Sequence, residues 1–114
     1  GHVLGDTPGP LSPAARRAMV RDQLANMPAI RLEEGLSRRW GLGFMLGAPY
    51  FGELVSPRTF GHVGSTGTMY WADPETGLGC VVLTNQPKVL RDEFGRSDYL
   101  FPRFSNALAA AVEE

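Results

Sequence analysis

Cysteine and histidine are scarce, with one Cys (Cys80) and two His (His2 and His62) in 114 residues. A lone thiol closes no internal disulfide, and two histidines with one distant cysteine do not supply a ligand set. Neither a disulfide scaffold nor a zinc site is therefore expected. An excess of one charge is also missing, since 11 Lys and Arg stand against 12 Asp and Glu. Without a positive field there is nothing to gather phosphates or an anionic membrane surface, and nucleic acid is not a partner that this composition fits. No run reaches the roughly 18 apolar residues of a membrane span, and the start has neither the charged n-region nor the apolar h-region of a secretory signal. In a fragment that absence would say nothing of the parent, so localisation stays open. Gly1 and His2 read as the scar of a cleaved expression tag. No period of 20 to 50 residues indicates a repeat architecture.

What is present is an ordinary globular composition, 43% hydrophobic and 20% charged, which predicts a single domain over residues 1–114 with one core. The opening stretch Val3 to Leu11 carries Gly5, Pro8, Gly9 and Pro10 and reads as a loop. Ser12-Pro13 then offers an N-cap and a first-turn proline, and Ala15, Ala18, Met19 and Leu24 recur at near-helical spacing. A helix is predicted from Pro13 to Asn26, stopped by Pro28. The apolar and aromatic content of Arg38 to Leu46 predicts a strand, and a Gly/Pro-marked connection, Gly47 to Pro57, leads on to Thr59–Gly64. Thr68–Ala72 and Gly79–Thr84 are β-prone runs on either side of the turn-rich Asp73–Leu78, which predicts a hairpin. From Ser97 to Val112 the residues Leu100, Phe101, Phe104, Leu108, Ala111 and Val112 fall mainly along one helical face, so a closing helix should pack on the sheet. The class is α+β, with an antiparallel sheet of three to four strands flanked by an N-terminal and a C-terminal helix.

Nucleophilic chemistry needs a serine with a base in reach, and Ser12, Ser37, Ser56, Ser65, Ser97 and Ser105 all lack one locally. None begins Ser-x-x-Lys. The nearest approach to a nucleophile elbow, Val63-Gly64-Ser65-Thr66-Gly67, has Val at the first glycine and strand-forming residues after it. His62 lies three residues before Ser65, and on a strand that spacing directs two side chains to opposite faces. Gly61 to Gly67 is followed by neither a lysine nor a helix start, so no phosphate cradle and no cofactor is implied. Asp73 and Glu75 read as solvated turn carboxylates, and the pairs Arg16-Arg17 and Arg38-Arg39 as solvated surface. Trp40, Phe44, Tyr70 and Trp71 are candidates either for a pocket wall or for core on one strand face. Cys80, within an apolar run, reads as a small core residue.

Four motifs in order, Trp40-Gly-Leu-Gly-Phe44, Phe60-Gly-His-Val-Gly-Ser-Thr-Gly67, Thr68-Met-Tyr-Trp-Ala-Asp-Pro74 and Leu78-Gly-Cys-Val-Val-Leu-Thr-Asn85, resemble the β-lactamase-related serine hydrolases. That family includes class C β-lactamases, penicillin-binding DD-peptidases and esterases, and the resemblance spans about residues 36–86. It implies that His62-Val63-Gly64 is the third active-site motif, on a strand walling the catalytic cleft. His62 would then be a polar or proton-relaying group, Gly64 a place where substrate lies against backbone, and the Ser65 amide an oxyanion-hole donor.

The sequence departs from the family pattern at Val63, where a hydroxyl-bearing residue is usual, which favours an esterase-like parent. It also lacks Ser-x-x-Lys and Tyr-x-Asn or Tyr-x-Ser, since Tyr50, Tyr70 and Tyr99 are followed two positions on by Gly, Ala and Phe. The resemblance thus implies the C-terminal portion of a catalytic domain whose partner is the missing N-terminal part of the same fold. The parent's substrate would be a small ester, amide or β-lactam. Alone, the chain should expose a strand edge and apolar surface and self-associate or swap elements. The alternative is a freestanding noncatalytic module that binds a ligand or protein.

Overall fold

The computed structural model describes residues 9–27, 39–64, 66–85 and 100–112. The sheet runs in chain order, β1 (Met45–Leu46), β2 (Phe60–Val63), β3 (Met69–Asp73) and β4 (Leu78–Val82), with every neighbouring pair antiparallel. Helices α1 (Pro13–Met19) and α2 (Leu100–Ala111) flank it in sequence. The predicted α+β class with an antiparallel sheet is the observed one.

Helix α1 begins where expected. The Ser12 hydroxyl accepts from the Ala15 N–H at 3.1 Å, and Pro13 stands in the first turn, where no N–H is needed. It ends at Met19, well short of the predicted Asn26. Its last carbonyls are taken by groups other than a further helical turn. Met19 O accepts from the Leu42 N–H at 2.9 Å, and Ala18 O from the Gln23 side-chain amide at 3.1 Å. Asp22 closes a local turn by accepting from the Leu24 N–H at 2.9 Å, and that side-chain-to-backbone bond competes directly with helix.

The predicted strand over Arg38–Leu46 is instead a reversal. Trp40 pairs with Met45 as an isolated bridge, the Gly41 N–H reaches Phe44 O at 2.9 Å, and Gly43 takes φ +88°, a conformation that favours glycine. Arg38 lies outside the described residues. Only Met45 and Leu46 pair with β2, opposite Gly61 and Phe60. The 68–84 hairpin is present, five residues paired on each side, with Met69 opposite Val82 and Asp73 opposite Leu78.

The core lies on one face of the sheet. Met45, Val63, Met69, Trp71 and Cys80 point there and meet Tyr50, Phe51 and Phe101. Phe51 is fully buried, in a single 3-10 turn (Pro49–Phe51) within a segment that the sequence marked only as a connection. Tyr50 packs edge to face on Phe101, ring centroids 5.6 Å apart.

The closing helix buries a face rotated from the expected one. Phe101, Ser105 and Ala109 are buried and Leu108 is partly so, whereas Phe104 and Val112 are exposed. Ser105 occupies the interior because its hydroxyl accepts from the buried Trp71 indole N–H at 2.9 Å. An apolar residue there would leave that donor unpaired.

Candidate functional site

Side chains alternate along β2, so Val63 enters the core and His62 emerges on the opposite, outer face. Cross-strand register extends the outer row, because His62 stands opposite Tyr70 and Tyr70 opposite Val81. These three, with Leu83, line an open depression of about 320 Å³ that is closed at the β2–β3 turn by Gly64 and Thr68. Its wall is mainly apolar, and no Lys, Arg, Asp or Glu is among the lining residues.

His62 is half-buried and held on two sides. Nδ1 lies 2.6 Å from the Val63 carbonyl oxygen, and the ring meets Trp40 in a T-shaped contact, centroids 5.5 Å apart and planes at 68°. Phe44 continues the aromatic row by packing on Phe60 at 5.0 Å and Tyr70 at 6.4 Å. Of the four aromatic candidates, Trp71 is core, Tyr70 lines the depression, Phe44 packs on the outer row, and Trp40 packs against the core cluster as well as on His62.

Gly64 has an internal reason to be glycine. The turn is closed by the Gly64 N–H on Thr68 O at 2.7 Å and the Gly67 N–H on Gly64 O at 3.1 Å, and a Cβ on Gly64 would stand 2.3 Å from the Thr68 hydroxyl oxygen. His62 and Gly64 thus border the same depression. Ser65, the third predicted site residue, lies outside the described residues.

Two carboxylates read as solvated part company. Glu75 is exposed, but Asp73 is fully buried and holds three donors. Its Oδ2 accepts from the Ser56 N–H at 2.8 Å, and its Oδ1 from the Ser56 hydroxyl at 2.5 Å and the Glu75 N–H at 3.0 Å. Burial pushes the Asp73 carboxyl up, yet the Ser56 and Glu75 donors outweigh it and hold the group below the usual carboxylate range. The expectation of a solvated Asp73 is corrected: it ties the 48–59 segment to the hairpin turn. Cys80 is buried and unbridged, and burial raises its thiol pKa, which suits an inert core residue. Among the described residues, no group of three or more His, Cys, Asp or Glu could hold a metal ion, and no helix is long and apolar enough to cross a membrane.

Val81 and Leu83 are lining residues that sequence reasoning did not single out, whereas Tyr70 was already a candidate for a pocket wall or for core. The signal was available, since carrying the alternation of His62 across the hairpin register selects Tyr70 and Val81. The Trp40–His62 contact had no such signal, because it depends on the unforeseen reversal at Gly41–Phe44.

A family model described as Beta-lactamase matches residues 6–101. Among curated proteins, the chain is 36% identical over 73 residues to a "Putative D-alanyl-D-alanine carboxypeptidase" of Escherichia coli K12, an alignment covering 57% of this chain and 17% of that protein. It is 42% identical over 53 residues to the same-named protein of Escherichia coli O157:H7, covering 42% of this chain and 12% of that one. The chain therefore spans less than a fifth of the length of these relatives. Among solved structures, a β-lactamase from Mycobacterium bovis superposes with a TM-score of 0.71 at 30% identity, over 91% of this chain and 39% of the other.

Proposed function

This chain belongs to the beta-lactamase family, and from that premise we propose that it is the C-terminal segment of a serine acyl hydrolase, supplying one wall of the catalytic cleft without the nucleophile. The observation that carries the reading is His62. It is the one imidazole among the described residues, it emerges from β2 on the face opposite the core, and it borders a depression next to Gly64. Imidazole in that position can accept or relay a proton during acyl transfer. Gly64 and the Ser65 amide complete the motif, the latter as an oxyanion-hole donor.

The serine nucleophile and its base belong to the rest of the same fold, the part of the family domain that the relatives have and this chain does not span. The apolar outer face supports that reading, because Tyr70 is 45%, Val81 69% and Leu83 81% exposed. A face so apolar is ordinarily covered in a complete domain. Among acyl substrates a small ester fits best. Where the family commonly has a hydroxyl on this strand, the chain has Val63. A β-lactam or peptide substrate that needs a hydroxyl there to hold its carboxylate would lose that contact.

A fluorophosphonate probe tests the reading. The 114-residue chain should remain unlabelled while a longer product of the same reading frame is labelled at a serine upstream. In that longer product His62→Ala should lower kcat/KM for ester hydrolysis by at least about a hundredfold. Labelling of the short chain, or an unchanged kcat/KM in His62→Ala, would overturn it. Absence of any labelled longer product, together with specific ligand binding by the short chain, would identify a noncatalytic module instead.

A further inference from the structure

We propose that Trp40 is a positioning residue that, with the Val63 carbonyl, locks His62 in the tautomer bearing its proton on Nδ1 and its lone pair on Nε2. The inference rests on the reading of His62 as the cleft-wall group for its catalytic meaning, but not for its geometry.

A backbone carbonyl can only accept a hydrogen bond. The 2.6 Å contact between His62 Nδ1 and Val63 O therefore requires a proton on Nδ1, and a neutral imidazole with that proton carries its lone pair on Nε2. This bond joins a side chain to the next residue's own carbonyl, and it persists only if the ring is kept from rotating away. Trp40 supplies the restraint. Its indole meets the imidazole edge to face at 5.5 Å, an arrangement that aromatic quadrupoles favour and that fixes ring orientation as well as position.

Trp40 is itself placed by tertiary contacts. Its carbonyl accepts from the Gln23 N–H at 2.7 Å, it bridges Met45, and the adjacent Gly41 lies so close to the end of α1 that a Cβ there would be 1.9 Å from Met19 O. The end of α1, the Gly41–Phe44 reversal and the outer face of β2 thus converge on the orientation of one imidazole. With Nδ1 occupied, His62 presents Nε2 as an acceptor, so it can take a proton from a substrate or a neighbouring hydroxyl. The other tautomer would present an N–H at the same point and could not.

Long-range ¹H–¹⁵N correlation spectra of the 114-residue chain, recorded where His62 is neutral, read the tautomer directly and need no catalysis. A pyrrole-type Nδ1 and a pyridine-type Nε2 are expected. Trp40→Met should shift the tautomer ratio about fivefold toward Nε2–H, and Trp40→Phe, which keeps an aromatic partner, should restore it to within about twofold of the parent chain. The Trp71 indole N–H, bonded to Ser105 in the core, is the folding control and should not move. If Trp40→Met disturbs it, Trp40→Leu takes its place. A parent chain with Nε2–H as its main form, or a folded Trp40 variant without the aromatic ring and with an unchanged ratio, would overturn the proposal. Failure of the catalytic reading appears separately, as an unchanged kcat/KM in His62→Ala while the tautomer remains locked.

Discussion

Gly61, on the strand that bears His62, has no room for a side chain. A Cβ there would lie 2.0 Å from the Tyr70 carbonyl oxygen, 2.7 Å from the Trp71 Cα and 2.9 Å from its Cβ. Two of these three neighbours are backbone, so no rotamer change relieves the clash, and β2 would have to move away from β3. Gly61→Ala is expected to cost about 3 kcal/mol in urea denaturation, at the upper end of overpacking penalties. Because His62 is the next residue, the same substitution should broaden or shift its ring resonances. An unchanged denaturation midpoint would mean that the two strands separate more easily than this packing indicates.

Among the elements, the segment between β1 and β2 does the work of a third layer. It buries Tyr50 and Phe51 and is pinned at two places. Asn106 of α2 accepts from the Glu53 N–H at 2.9 Å and the Leu54 N–H at 3.2 Å, and Asp73 holds Ser56. Asp73→Ala leaves three donors without their acceptor and should destabilise the fold by about 3 kcal/mol. The acid dependence follows from the depressed carboxyl. Its folded value lies below the unfolded one, so the unfolded chain binds the proton more tightly. The stabilisation is fully present above about pH 4 and is lost as pH falls further through the folded value. Urea midpoints should therefore drop as pH falls below about 4 in the parent chain, and by less in Asp73→Asn.

On the scale of the whole molecule, the two sheet faces are unequal. The inner face is closed by Phe101, Ser105 and the 49–51 turn, whereas the outer face shows Tyr70, Val81 and Leu83, and among the described residues β4 is a terminal strand of the sheet. An apolar face next to a terminal strand favours association. Light scattering of the chain at high concentration is expected to give a species larger than a monomer, and Val81→Lys, which places a charge on that face, should shift it toward the monomer. A clean monomer throughout would count against the face being sticky.

Much of this was legible from the residues. Alternating β-prone runs around Asp73–Leu78 determined the hairpin, Ser12-Pro13 the start of α1, and four motifs in order the family, with His62 on its strand. These features are local in cause, since capping, turn chemistry and strand alternation act over a few neighbouring residues. The tertiary structure alone decided the early end of α1, the reversal at Trp40–Met45, the burial of Asp73 and the rotation of α2 that puts Ser105 inside. The burial of Asp73 and the rotation of α2 depend on partners 17 or more positions away, Ser56 for Asp73 and Trp71 for Ser105, and the end of α1 is sealed in part by another, Leu42 for Met19. Propensity and periodicity carry no term for such pairings, because the energy that selects them exists only once the sheet has brought the two residues together.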